Sequence, residues 1–249
     1  FMVQKKINTL LIGLGKIGCG YDFFDNFVVD KPNSSRKIIS HARAVTVHPN
    51  FNLVGGIDNN VNASNRFKSI YQKPTYECIN DFIKNININI ELVIIAVIPK
   101  NQPALVEEVI NLLNPKILLL EKPLATTLNE ARRIKYICAS KPNLIVFVNY
   151  VRRYLPIVQQ WREKILSGEI GTFISGNIVY GKGLLTNGSH FIDLAQFFLG
   201  KLNNYKTLKN DLTYGDFDKE ISFILKNEEN NSLLNINSIG GYQLRAGEL

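Results

Sequence analysis

At 249 residues and 45% hydrophobic, the chain can bury one large core or two modest ones, which fits one to two domains. No run approaches the roughly 18 apolar residues of a bilayer-spanning helix, and the N-terminus lacks the basic and apolar regions of a secretory signal, so a cytoplasmic protein with no membrane partner is expected. The formal charge of +8 raises nucleic acid as a partner, but the basic residues are spread out; only Arg132, Arg133 and Lys135, and Arg152 and Arg153, stand close together, and no nucleic-acid partner is expected.

The run INTLLIGLG reads as a continuously apolar, buried parallel strand entering a glycine turn at the start of a helix. Residues 21–40 look like an insertion, read as either a surface loop or a lid, with a helix resuming at His41. A second strand, FNLVGGID, ends in Asp58; a helix spans Ser64–Gln72; and after the Asn- and Ile-rich segment 80–90 comes a third strand, ELVIIAVIP. A helix over Gln102–Leu113, the strand KILLLEKP, a helix opened by Thr127 and Glu130 at capping-box spacing, and the strand NLIVFVNY complete the series. Alternation of this kind predicts a doubly wound parallel sheet over residues 1–150. Residues 151–249 read as a second α+β domain: a helix over Pro156–Leu166, a strand in SGNIVYG, a helix in HFIDLAQFFLG stopped by Gly200, and short strands near Glu220–Leu225 and Ser232–Ile239.

The sharpest chemical signal is GLGKIG. Gly13 permits a tight turn, Gly15 lets the backbone approach a pyrophosphate, and Gly18 allows close helix packing, which together suit a dinucleotide. Asp58 can accept from the ribose hydroxyls and would repel a 2′-phosphate, so NAD is expected over NADP; it lies farther from Gly18 than the usual span of about 20 residues, the insertion carrying the excess. Lys122, in Glu121-Lys122-Pro123 at the carboxyl end of its strand, reads as a hydrogen-bond donor to a substrate oxygen or as a surface lysine, and Pro123 suits a cis turn. His190 reads as a proton acceptor or as a structural histidine, with Asp193 one turn on to orient it; His41 and His48 are given no chemistry. Three scattered cysteines and the absence of ligand spacing point to no disulfide and no metal site.

Taken in order, GLGKIG, GGID, EKPLATTLNEA, NYVRRYLP, SGEIG and NGSHFIDL resemble the Gfo/Idh/MocA family of sugar and polyol dehydrogenases over about the first 200 residues. The resemblance implies a Rossmann domain followed by a C-terminal α+β domain on an open, mostly antiparallel sheet, here shortened against the family's usual length. It implies NAD or NADP as cofactor and a small sugar-like substrate, and allows a homo-oligomer. On it, Lys122 is the active-site lysine and His190 the catalytic histidine. Gly13, Leu14, Gly15, Lys16, Ile17, Gly18, Asp58, Glu121 and Pro123 fall on the cofactor side, and Asn149, Arg153, Tyr154, Thr186, Asn187 and Asp193 on the substrate side. Thr186 departs from the family, which commonly carries an aspartate there. Reversible oxidation of a secondary alcohol is the activity implied. The alternatives are a non-catalytic NAD-binding or regulatory protein, and an enzyme such as a glycosidase or a biliverdin reductase that uses the same fold for another outcome.

Overall fold

The computed structural model describes residues 5–24, 38–215 and 218–240, without the side chains of 24 and 209–212. Residues 25–37, the middle of the expected insertion, lie outside the described residues. The chain divides into two compact units, Phe1–Asn149 and Tyr150–Leu249.

The first unit is built on a six-stranded sheet: β1 (Ile7–Ile12), β2 (Phe51–Ile57), β3 (Thr75–Tyr76), β4 (Leu92–Ile95), β5 (Ile117–Leu120) and β6 (Ile145–Val148). Their spatial order is β3-β2-β1-β4-β5-β6, and every pair is parallel. The connecting helices are α1 (Tyr21–Phe24), α2 (His41–Val47), α3 (Val61–Tyr71), α4 (Ile79–Asn85), α5 (Gln102–Leu112) and α6 (Leu128–Ala139). Because side chains alternate along a strand, Leu10 and Ile12 of β1 enter the core that also buries Ile79, Phe82, Val106, Val109, Ile110 and Ile134. Leu11, between them, enters the core with Ala42, Val45, Ala63, Phe67 and Tyr71 on the other face. Each such Leu or Ile contributes roughly 1.5–3 kcal/mol on burial. The capping box is present in both halves: the Glu130 amide donates to Thr127 Oγ1, 3.3 Å, and the Thr127 amide to Glu130 Oε2, 3.1 Å.

Three local details differ from the sequence reading or go beyond it. The glycine turn opens a helical segment as expected, but its first turn, Lys16–Gly20, is a π-turn closed by Gly20 N–H to Gly15 O at 2.9 Å that runs directly into α1. The helix expected from Ser64 begins at Val61, because Asn60 caps it through the Ala63 amide. A short helix unmarked in the sequence reading, α4, overlaps the first half of the Asn-rich segment and buries Ile79 and Phe82.

The second unit has α7 (Pro156–Leu166) and α8 (Ser189–Leu199) with strands β7 (Ser175–Tyr180), β8 (Leu202–Tyr214), β9 (Asp218–Asn227) and β10 (Leu233–Ser238). The order is β7-β10-β9-β8; β8/β9 and β9/β10 are antiparallel and β7/β10 is parallel. Ala195 and Ile192 of α8 pack with Tyr180, Phe223, Leu225, Leu234 and Ile236 on one face of the sheet. The long β8 escapes the sequence reading, since Asn203, Asn204, Tyr205, Lys206 and Thr207 are all exposed and give no apolar alternation. Among the described residues no helix is long and apolar enough to cross a membrane.

Candidate functional site

The carboxyl ends of the parallel strands form one edge of the first sheet, and the strand order reverses between β1 and β4, where open α/β sheets take their ligands. Gly13 stands at that point with φ +93°; a Cβ there would lie 2.4 Å from Ala96 O. A Cβ on Gly18 would lie 2.1 Å from Gly13 O, so both glycines are required by the fold itself. Gly15 is different. A Cβ there meets nothing within 4 Å, and Gly15, Lys16 and Ile17 are exposed, so the backbone lies open to an incoming group. Leu14, by contrast, sends its side chain into the core and leaves only its backbone at the turn.

Asp58 follows β2 and ties the turn down: its Oδ2 accepts from the Leu14 amide at 2.7 Å and its Oδ1 from the Asn60 amide at 2.8 Å. Each oxygen keeps a lone pair for a hydroxyl. The length of the insertion does not matter, because the parallel register that sets Ile12 beside Ile57 fixes where Asp58 emerges. Beside it a cavity of about 310 Å³ is lined by Gly13, Asp58, Glu77, Cys78, Val97 and Glu108 among others. The open backbone, a carboxylate at the β2 end and this cavity fit an adenine dinucleotide.

Behind the turn the two described ends of the insertion meet in a buried cluster. Asp22 Oδ2 accepts from Ser40 Oγ and from the Tyr71 hydroxyl, the latter at 2.6 Å, and Arg43 Nη1 stands 3.9 Å from Oδ1. Burial, then Asp22, push the Tyr71 phenol far above its ordinary range. Burial, then Asp22, push the Cys19 thiol up to about 12, so it stays protonated and donates to Leu14 O at 3.3 Å.

Lys122 follows β5, the neighbour of β4 on the same edge. Its turn is braced from three sides. Fully buried Gln102 donates through Nε2 to Glu121 O, 3.0 Å, and Leu124 O, 2.7 Å. Glu121 Oε1 meets His41 Nε2 at 2.7 Å and accepts from Asn149 Nδ2 at 2.6 Å, while Oε2 accepts from the Lys122 amide at 3.2 Å. Burial alone would raise the Glu121 carboxyl, but the His41 and Asn149 hydrogen bonds outweigh it and hold the group below the usual carboxylate range. The Lys122–Pro123 peptide is cis. Asn149, placed on the substrate side by the resemblance, gives its amide to Glu121, and His41, given no chemistry in the sequence, belongs to this network. Gln102 too escapes sequence reasoning; a glutamine entering an otherwise apolar helix is its only signal.

In the second unit His190 is the second residue of α8, its ring edge-on to Tyr150 with centroids 5.7 Å apart. Burial raises the Tyr150 phenol, opposed by its hydrogen bond with Ser189. Asp193 does not serve as expected to orient His190. Its carboxylate accepts from two nitrogens of the Arg153 guanidinium, Nε to Oδ2 at 2.6 Å and Nη2 to Oδ1, because a planar fork matches a bidentate acceptor better than an imidazole does. Tyr154 is exposed. Asn187 Nδ2 donates to Gly181 O at 2.9 Å, and the Thr186 amide donates to Asp218 Oδ2 at 2.7 Å. Asp218 and Glu220, both buried, are further residues that no sequence motif marked.

The profile of an oxidoreductase family with an NAD-binding Rossmann fold matches residues 7–150. No curated protein sequence matches the chain. Among solved structures, the WlbA dehydrogenase from Bordetella pertussis, in complex with NADH and UDP-GlcNAcA, superposes with a TM-score of 0.75 at 18% identity, covering 99% of this chain and 70% of that one. The myo-inositol dehydrogenase from Lactobacillus casei, in complex with NAD(H) and myo-inositol, gives 0.70 at 17%, covering 94% and 67%. The transcriptional regulator Gal80p from Kluyveromyces lactis gives 0.72 at 17%, covering 98% and 66%. At these identities the likeness is one of fold, and the chain spans about two thirds of its neighbours' length. The family match and the geometry of the glycine turn agree, and the chain belongs to the Gfo/Idh/MocA oxidoreductase family, which implies an NAD(P) cofactor.

Proposed function

We propose that the protein transfers a hydride between a secondary alcohol of a sugar, nucleotide sugar or cyclitol and the nicotinamide of NAD. The observation that carries this reading is the sharing of one sheet edge by the open Gly15 turn, Asp58 and the braced Lys122 turn. Backbone groups of Gly13–Gly18 would hold the pyrophosphate and Asp58 the ribose hydroxyls, with exposed Lys16 beside them as a countercharge. NAD is favoured over NADP because Asp58, Glu77 and Glu108 line the same cavity and a 2′-phosphate there would meet three carboxylates. The nicotinamide, when bound, supplies the hydride acceptor that no side chain can provide. Imidazole suits proton exchange near neutral pH, and in this reading His190 takes the hydroxyl proton during oxidation and returns it during reduction. The Lys122 ammonium, in its own unit, suits donation to a substrate oxygen and stabilisation of negative charge that develops there. The ligands of the Lactobacillus casei and Bordetella pertussis neighbours support a polyol or nucleotide-sugar substrate.

A second reading, binding without turnover, is favoured by Thr186, which cannot supply a carboxylate's charge, and by the fold's occurrence in a transcriptional regulator. A panel of sugars, nucleotide sugars and cyclitols, followed by NADH absorbance, separates the two. The proposal expects turnover of at least one substrate, reduced roughly 10²- to 10⁴-fold by Lys122→Ala or His190→Ala. Cofactor binding with no turnover across the panel contradicts it and favours the second reading.

A further inference from the structure

The turn that carries Thr186 and Asn187 and leads into α8 is held in an unusual way. Gly183 adopts φ +84°, and residues Leu184–Gly188 form one π-turn that runs directly into Ser189 and His190. The entry to such a turn leaves amides without partners inside the turn. Two carboxylates from β9 meet them. Glu220 Oε1 accepts from the Gly183 amide at 3.1 Å, and Asp218 accepts from the Leu185 amide through Oδ1 at 2.9 Å and the Thr186 amide through Oδ2 at 2.7 Å. Asp218 Oδ1 also accepts from the backbone amide of its neighbour Lys219, 2.8 Å, and Glu220 Oε2 from Ser238 Oγ, 2.8 Å. Both carboxylates are 1% exposed, and no Lys, Arg or His among the described residues pairs with either.

Burying two unpaired carboxylates is costly, and a serine or asparagine would cap a turn more cheaply. What charge adds is direction: hydrogen bonds to a carboxylate are shorter and stronger than neutral ones, so three amides are pinned to two fixed points on a paired strand. The contact is also close. A Cβ on Gly183 would fall 2.1 Å from Asp218 Oδ2, so the turn fits against β9 as it stands only with glycine at 183, and at Gly188 it packs tightly on the Tyr180 ring of β7, where a Cβ would stand 3.0 Å away. Ser189 Oγ donates back to Leu185 O at 2.7 Å, which carries the constraint into the first turn of α8.

We propose that Asp218 and Glu220 are positioning residues for His190, acting through the backbone of the Gly183–Gly188 turn. The functional sense of the inference rests on the reading of His190 as the proton-exchanging group; the mechanical part does not. The test uses the full chain with Asp218→Asn, which keeps the side chain's size but replaces one acceptor oxygen by a donor. Gly183→Ala serves as a second variant that presses on the same contact without removing a charge. Amide exchange at residues 183, 185 and 186 should rise at least tenfold in both, while the β9/β10 amides stay protected. The chain has three histidines, so the imidazole C–H signals are separable by NMR, and the His190 signal should shift or broaden while those of His41 and His48 stay in place. Unchanged exchange at the turn, or a loosened turn with the His190 signal unmoved, overturns the proposal. Neither readout needs turnover, so a chain that oxidises no alcohol would sink the enzymatic reading and still leave these results to decide this one.

Discussion

The two units hold their candidate site residues by different means. In the first, Gly13, Asp58 and Lys122 stand at or just beyond the ends of buried parallel strands, and strand register decides where they emerge. Hydrogen bonds from Gln102, His41 and Asn149 then trim the Lys122 turn. In the second, His190 follows a turn whose path comes from two buried carboxylates on another strand. A site placed by register depends on the packing of the whole sheet, whereas one placed by two side chains can loosen while its sheet stays intact.

The largest effects should come from the glycine turn, and they split it in two. Gly13→Ala or Gly18→Ala drives a Cβ into backbone at 2.4 or 2.1 Å, so a loss of about 3 kcal/mol or more is expected on denaturant unfolding, with cofactor binding lost alongside. Gly15→Ala meets nothing within 4 Å in the chain; its stability should stay within about 0.5 kcal/mol of the wild type while NAD affinity falls. Equal destabilisation by all three would show that the turn is only structural.

Tyr71→Phe should cost about 1–3 kcal/mol, since it leaves the buried Asp22 carboxylate short of a donor. Thermal unfolding of the purified variant checks this, and the second unit's amide protection should not change.

Glu121→Gln should have a smaller and pH-dependent effect, about 1 kcal/mol near neutrality. The folded carboxyl is held below its ordinary 4.5, so its contribution is complete above that value and is lost as pH falls through the depressed one. The gap in Tm between wild type and variant should therefore be open at neutral pH and close in acid. A gap that widened on acidification would mean that the His41 and Asn149 hydrogen bonds do not favour the ionised form.

The same contrast explains what could be read in the sequence. The apolar runs of β1, β2, β4 and β5, the glycine turn and the Thr127 capping box are local patterns, and the structure reproduces them because each element's reason lies within a few residues. β8 was illegible because its exposed Asn203–Thr207 stretch is a strand only by pairing with β9. The residues that brace the candidate site were illegible for a related reason. His41 meets Glu121 across 80 positions, Asp218 meets Thr186 across 32, and Glu220 meets Gly183 across 37, separations at which spacing carries no signal. Asp193 pairs with Arg153, 40 positions away, whereas spacing along the chain points to His190 within the same helical turn.

The central claim is that the crevice at the β1/β4 switch point holds NAD through the glycine turn and Asp58. Calorimetric titration of wild type and Asp58→Asn with NAD and NADP tests it most directly. The account predicts that wild type binds NAD at least tenfold more tightly than NADP, and that the variant, which keeps an acceptor for the Leu14 amide but loses the charge, narrows that gap. Binding of neither dinucleotide, or a preference for NADP unaltered by the substitution, would contradict it.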